Sequence, residues 1–268
     1  MSPLGLCLRI ALAAYVVALV ALYFMQDRML LPSALYTPDP PTGHHAGYDV
    51  EPWQANGHYA GYVATPVVSE PRGTFVVYHG NAETAENKLP MAEVFVRAGY
   101  RVAMVEYPGQ GKREGDRTMK AALAASREAL GAVRAQWSGP VFLAGESLGA
   151  GMAAQVVQGH EAAVAGVVLI TPWDTLASVA AEKLRIFPVR WMLHDPFDSI
   201  AALAHYTGPV VVIGAQQDTL IPVAHAERLA SAYPHAQLML LPNATHDDWF
   251  DAMTAERWQQ VLDWLHAN

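Results

Sequence analysis

The chain changes pattern twice along its length. From Ile10 to Met25, IALAAYVVALVALYFM, no position carries a charge, and with Leu4 to Leu8 before the lone Arg9 the apolar stretch reaches spanning length. A bilayer crossing takes roughly 20 apolar residues. From Leu31 to Trp53, a segment containing PSALYTPDPPTGHH, periodicity disappears. Proline with glycine and histidine there reads as a linker or extended lead-in rather than a helix. From about His58 onward, short apolar runs alternate with stretches of helical period.

That alternation predicts strands at Tyr59–Pro66, Thr74–Tyr78, Arg101–Tyr107, Val141–Ala144, Gly166–Thr171, Val210–Gly214 and Leu238–Leu241. Several are continuous apolar runs, as expected of strands covered on both faces. Helices are predicted between them at Glu83–Ala98, Met119–Trp137, Leu148–Gln158, Val223–Tyr233 and Trp249–His266. The order implies an α/β fold, a mostly parallel central sheet flanked by helices. One aromatic-rich, helical stretch, about 172–207, is inserted between two strands. The expected organisation is a membrane anchor at 1–30, a lead-in at 31–57 and a globular domain at 58–268 carrying that insertion.

Three readings of the N-terminal run compete: an uncleaved anchor, a cleaved signal peptide and a buried core helix. A cleavage site wants small residues after the apolar run. Here stand Leu22-Tyr23-Phe24-Met25, and Tyr15, Tyr23 and Phe24 suit a helix near an interface. The anchor is therefore preferred, with residues 4–25 in the lipid bilayer as a single-pass span. Arg9 and the terminal amine precede the run, whereas Arg28 beside Asp27 follows it. This bias places the globular domain on the outer or lumenal side.

Composition narrows the chemistry. Apolar residues make up 52% of the 268 positions and charged residues 16%, which suits a large core and argues against disorder. A net charge of -8 without a basic stripe argues against nucleic acid as a partner. The single cysteine, Cys7, permits no internal disulfide. The histidines show no ligand spacing, so a bound catalytic metal is not expected.

The strand candidate Val141–Ala144 runs into Gly145-Glu146-Ser147-Leu148-Gly149 and then LGAGMAAQVV. Ser147 there is either the N-cap of a helix or a nucleophile held out on a sharp strand-to-helix turn. A nucleophilic serine needs a base, an orienting acid and donors for the oxyanion. Each has a candidate at a strand end: His246 in PNATHDDW, Asp218 in GAQQDTLIP, and the backbone N–H groups of Asn81, in VVYHGNAE, and Leu148. Asp174 and Asp198 rival Asp218 as the acid. His79 is read as structural, because the turn uses its neighbours' backbone. Glu146 either tunes the serine or makes a structural hydrogen bond. GQGKREG lacks the spacing of a phosphate loop.

The order serine, aspartate, histidine, together with the His-Gly-Asn turn, the Gly-Glu-Ser-Leu-Gly elbow and VEYPGQGKREG, resembles the α/β-hydrolase superfamily from about Asn56 onward. More closely it resembles that superfamily's membrane-anchored serine hydrolases. The resemblance implies a serine esterase, thioesterase or lipase working through an acyl-enzyme without metal or cofactor, on a small-molecule ester or acyl substrate. It also makes the 172–207 insertion a cap. Its apolar residues, among them Leu176, Leu184, Phe187 and Trp191, either line an acyl pocket or simply pack on the domain. An acyltransferase using the same acyl-enzyme, and a non-catalytic interaction protein on the same fold, are the alternatives. The oligomeric state is not legible.

Overall fold

In the computed structural model, which describes residues 2–68 and 70–266, nine strands form one sheet. They are β1 (Gly43–His45), β2 (Tyr48–Ala55), β3 (His58–Pro66), β4 (Thr74–Tyr78), β5 (Arg101–Val105), β6 (Val141–Glu146), β7 (Gly166–Ile170), β8 (Val210–Ala215) and β9 (Ala236–Leu241). Their order is β1-β2-β3-β5-β4-β6-β7-β8-β9. Pairing is antiparallel from β1 to β3 and between β3 and β5, and parallel throughout the rest. The central strands β4 and β7 are buried at every position, which is why their sequences are unbroken apolar runs.

The helices are α1 (Pro3–Leu30), α2 (Leu89–Arg97), α3 (Met119–Gln136), α4 (Leu148–Val157), α5 (Leu176–Lys183), α6 (Ser199–Leu203), α7 (Ala224–Ala232) and α8 (Ala255–His266). Residues of α2 and α8 join the apolar cluster on one face of the sheet, where Phe75 stacks on Phe95 at 3.9 Å. Residues of α3, α4, α6 and α7 join the cluster on the other face. Local chemistry sets the starts: Thr118 and Thr175 accept N-cap bonds from Ala121 and Ser178, and Asp198 accepts one from Ala201. The insertion is closed at its neck by a bridge between Thr175 and Asp198.

The structure departs from the sequence expectations in three places. The stretch expected as lead-in supplies β1 and β2, so the sheet begins at Gly43 and not at 58. Pro52 lies within β2 and the register shifts between Trp53 and Gln54, and together these hide the alternation. The helix expected from Glu83 begins as a 3-10 turn, Ala85–Lys88, and becomes α2 only at Leu89, where Pro90 occupies the first turn. The last helix starts at Ala255 rather than Trp249, because Thr245 to Met253 fold into turns, the first closed by Asp248 on the Thr245 N–H at 2.6 Å.

α1 is long and apolar enough to cross a membrane, and none of its residues is buried. Its last turn nevertheless belongs to the globular body. Leu31 is buried, and Asp27 caps α3 by accepting from the Met119 N–H at 2.9 Å. Loss of a capping carboxylate costs about 0.5–2 kcal/mol. Asp27→Ala is therefore expected to lower the melting temperature of the detergent-solubilised protein by roughly 2–4 °C for each kcal/mol lost. Thermal denaturation followed by circular dichroism measures it, and an unchanged melting temperature would show that this contact contributes nothing.

Candidate active site

β4 leads to β5 on one side of it, while β6 lies on the other, so the strand order reverses between β4 and β6. In open α/β sheets a crevice forms beyond the carboxyl ends of the strands at such a point. Gly80-Asn81, one residue beyond β4, and Ser147, directly after β6, flank one cleft of about 760 Å³.

Ser147 sits between β6 and α4 with φ 52° and ψ −117°, a conformation disfavoured for a residue with a side chain. The turn is possible because its neighbours are glycine. A Cβ at Gly145 would run into the Gly149 carbonyl, and one at Gly149 into the Tyr78 carbonyl of β4. Ser147 holds the N-cap position of α4 yet makes no side-chain capping bond. Its Oγ lies 2.9 Å from Nε2 of His246, whose Nδ1 lies 2.6 Å from Asp218 Oδ2. The other Asp218 oxygen accepts from the N–H groups of Leu220 and Ile221, both at 2.7 Å. These bonds fix the carboxylate, which is buried, in one orientation.

The two rival aspartates are engaged elsewhere. Asp174 pairs with His225 at 2.7 Å and with Arg228 at 2.6 Å. Burial works against its charge, but the bonds from Arg228 and His225 hold its carboxyl below the ordinary range. Asp198 caps α6. His79 is fully buried between Glu106 at 3.0 Å and the Gly80 carbonyl at 2.9 Å, within the turn that follows β4.

The N–H of Leu148 belongs to the first turn of α4, whose N–H groups have no partner within the helix. Asn81 follows β4 and lines the same cleft as Ser147 and Leu148. Its side chain donates to the carbonyls of Met29 and Leu30 at 3.2 and 3.1 Å, so the end of α1 grips this turn. That link was not visible in the sequence, where the two segments are far apart.

Sequence reasoning also missed a buried ion cluster on the cleft wall. Lys88 Nζ lies between Glu83, at 2.8 Å, and Glu146. Glu83 in turn accepts from the Gly80 N–H at 2.7 Å. Glu146 thus makes an ion pair, and one cation ties the Gly80-Asn81 turn to the elbow. Burial pushes the Glu146 carboxyl up despite Lys88. Burial also opposes the charge on Glu83, but Lys88 and the hydrogen bonds hold its carboxyl below the usual range. Burial would lower the Lys88 ammonium, yet Glu146 and Glu83 outweigh it and raise it. Thr171 and Trp173, further cleft residues outside any sequence motif, each bury a polar atom with no protein partner among the described residues. Among those residues no group of histidine, cysteine and acid side chains is arranged to hold a metal ion.

A serine hydroxyl bonded to an imidazole that is itself bonded to a fixed carboxylate is an arrangement able to transfer the hydroxyl proton as the oxygen attacks. Comparison with known proteins agrees with the architecture. The family model described as serine aminopeptidase, S33, matches residues 69–199. The chain is 31% identical over 248 residues to the uncharacterized protein Rv2307c of Mycobacterium tuberculosis (strain ATCC 25618 / H37Rv), covering 89% of this chain and 87% of that protein. It is 23% identical over 266 residues to YfhR of Escherichia coli (strain K12), covering 96% and 91%. Among solved structures, the esterase Pf2001 of Pyrococcus furiosus superposes with a TM-score of 0.65 at 16% identity, covering 87% of this chain and 98% of that one. Est1E of Butyrivibrio proteoclasticus, solved with ferulic acid bound, gives 0.67 at 17% identity, covering 82% and 100%. At such identities these two structures speak for the fold alone. The S33 family match, the relationship to Rv2307c along most of both chains and the shared fold lead to one conclusion: the chain belongs to the α/β-hydrolase superfamily.

Proposed function

We propose that this hydrolase is a serine esterase or thioesterase, tethered to a membrane by α1, that works through an acyl-enzyme. The observation that carries the reading is the row Ser147 Oγ, His246, Asp218, with separations of 2.9 and 2.6 Å. His246 Nε2 takes the hydroxyl proton while Ser147 Oγ bonds to the substrate carbonyl carbon. Asp218 holds the imidazole in the tautomer that leaves Nε2 free to accept, and stabilises the cation that forms. The N–H groups of Asn81 and Leu148 receive the carbonyl oxygen as it becomes an oxyanion, next to the positive end of α4. His246 passes its proton to the departing alkoxide or thiolate, and the carbon–oxygen or carbon–sulfur bond breaks. Water, deprotonated by His246, then cleaves the acyl-serine and restores the hydroxyl. No metal or cofactor enters the scheme.

Three experiments test this reading. Ser147→Ala is expected to abolish labelling by a fluorophosphonate probe and to reduce ester turnover by several orders of magnitude with the fold kept. Near-normal turnover in that variant would remove Ser147 from the chemistry.

Asp218→Asn is expected to cost on the order of 10³–10⁴ in kcat, as loss of the orienting acid does in other triads. Asp174→Asn, which breaks the pairing with His225 and Arg228, should cost stability rather than turnover. A larger loss of turnover at Asp174 would move the acid to the end of β7.

The tether reading rests on the unburied apolar length of α1. The full chain should remain in the membrane pellet through a carbonate wash, and protease added outside intact cells or vesicles should digest the globular domain. Recovery in the soluble fraction with a new N-terminus after about Ala21 would mark a cleaved signal peptide. Protection of the globular domain until lysis would reverse the orientation.

A further inference from the structure

An apolar groove runs between α1 and the insertion, lined by Leu22, Met29 and Leu30 on one side and by Leu176, Leu184 and Met192 among those on the other. Gln26 is the one polar residue in the lining, and its amide is consumed: it donates to the Met192 carbonyl at 2.8 Å and accepts from the His194 N–H at 3.0 Å. An apolar groove with its polar groups already paired favours a hydrocarbon occupant. Leu30 and Leu176 also line the cleft that contains Ser147 and His246. The groove and the cleft therefore adjoin.

The insertion rides along α1 well beyond this groove. Tyr15 stacks on Phe187 at 5.4 Å and donates its hydroxyl to the Ile186 carbonyl at 2.7 Å. Tyr15 lies within the charge-free run Ile10–Met25, a length of roughly 24 Å at the helical rise of 1.5 Å per residue. The hydrocarbon core is about 30 Å thick. An α1 that crosses the bilayer in this arrangement therefore carries the insertion tip into the bilayer with it. The tip suits that surrounding: Ile186 is 74% and Trp191 90% exposed. Arg185 and Arg190, also exposed, stand beside them with long side chains able to reach lipid phosphates.

We infer that the groove between α1 and the insertion is the acyl-chain site of the enzyme, and that its occupant is the long acyl chain of an ester lipid drawn from the bilayer. The inference rests on the serine-hydrolase reading and gives it a substrate class. On this view α1 is one wall of the binding site as well as a tether. The chain lies between Leu22–Leu30 and α5, and its ester carbonyl reaches Ser147 past Leu30 and Leu176. Attack there gives an acyl-serine and releases the lipid alcohol, and water then frees the fatty acid. The grip of Asn81 on the Met29 and Leu30 carbonyls joins this wall to the turn offered as an oxyanion donor.

The test uses the full chain reconstituted in phosphatidylcholine vesicles, with rates counted per fluorophosphonate-labelled site. Three probes are compared: monopalmitoylglycerol within the vesicles, palmitoyl-coenzyme A added in solution, and p-nitrophenyl butyrate in solution. The wild type should turn over the vesicle-borne palmitoyl ester with a higher kcat/KM than the soluble butyrate. Ala180→Trp fills the groove from α5, and Leu22→Trp fills it from α1. Each should lower the palmitoyl-to-butyryl ratio by about tenfold or more, since even one methylene misfitted in an apolar pocket costs 10–200-fold. Two variants on opposite walls guard against one failing to fold. A ratio unchanged in both labelled variants would overturn the groove as the acyl site. Turnover of palmitoyl-coenzyme A without turnover of the vesicle-borne ester would overturn the bilayer as its source. Absence of fluorophosphonate labelling in the wild type would instead sink the serine-hydrolase reading beneath it.

Discussion

The structure turns on the space around one residue. Ser147 is held at φ 52° where β6 becomes α4, and the main chain there passes so close to its surroundings that Gly145 and Gly149 have no room for a Cβ. The same crowding continues one turn on, where a Cβ at Gly151 would collide with the ring of Trp173. A strained backbone of this kind costs on the order of 1–3 kcal/mol and persists only where its surroundings over-determine it. Those surroundings are the parallel pairings of β6 with β4 and β7, and the buried apolar face of α4. The fully apolar centre of the sheet thus does more than exclude water. It supplies the rigidity that keeps the proposed nucleophile out of its bland role as a helix cap and its oxygen within reach of His246.

Around that point, polar groups lock separate chain segments together. Lys88 bridges Glu83 and Glu146, and through Glu83 it reaches the Gly80 N–H. Such a cluster is costly to bury, and leaving one member unpaired costs about 3–5 kcal/mol. Its value lies in register: the turn after β4 and the turn after β6 cannot drift apart while one ammonium serves both. His79 and Glu106 make a second lock beneath the first, with Tyr107 donating to the His79 carbonyl at 3.0 Å. Asn81 then extends the network to the end of α1. Support for the proposed oxyanion turn therefore comes from the strand before it, from the elbow and from the apolar N-terminal helix.

The insertion explains why the N-terminal helix and the body meet where they do. α5 and the segment after it expose apolar side chains that the domain core does not cover, and the last turns of α1 lie against them. The aromatic contacts of Tyr15 and Tyr23 with Phe187 and His194 follow the same line. A helix whose exposed surface is apolar and an insertion that exposes Ile186 and Trp191 share one solvent problem, and on the proposed reading a lipid surface would answer both.

Much of this was legible in the sequence because it rests on local signals. Unbroken apolar runs such as Phe75–Tyr78 and Val167–Ile170 mark strands buried on both faces, and glycines on either side of Ser147 mark a turn too tight for side chains. The order of Ser147, Asp218 and His246 at strand ends follows from the same pattern, as does the apolar run of α1. Other features depend on distance across the fold, which no local pattern encodes. β2 is hidden by Pro52 and a register shift that only its partner β3 makes sense of. Asp218 is preferred in one dimension for its place at a strand end before the histidine, but Asp174 and Asp198 remain rivals there. Only the packing of α6 and α7 gives Asp174 to Arg228 and His225, and Asp198 to a helix cap, leaving Asp218 beside His246. Glu83 and Lys88 read as ordinary charges, and Glu146 only as a neighbour of the serine, until the turn after β4, the 3-10 turn before α2 and the end of β6 bring them together. The sequence by itself determined the strands from β3 onward, the turn at Ser147 and the apolar helix α1, because those follow from side-chain size, polarity and period. The tertiary structure decided which polar groups meet, because hydrogen bonds and ion pairs form only within a few ångströms, and that proximity belongs to the folded chain alone.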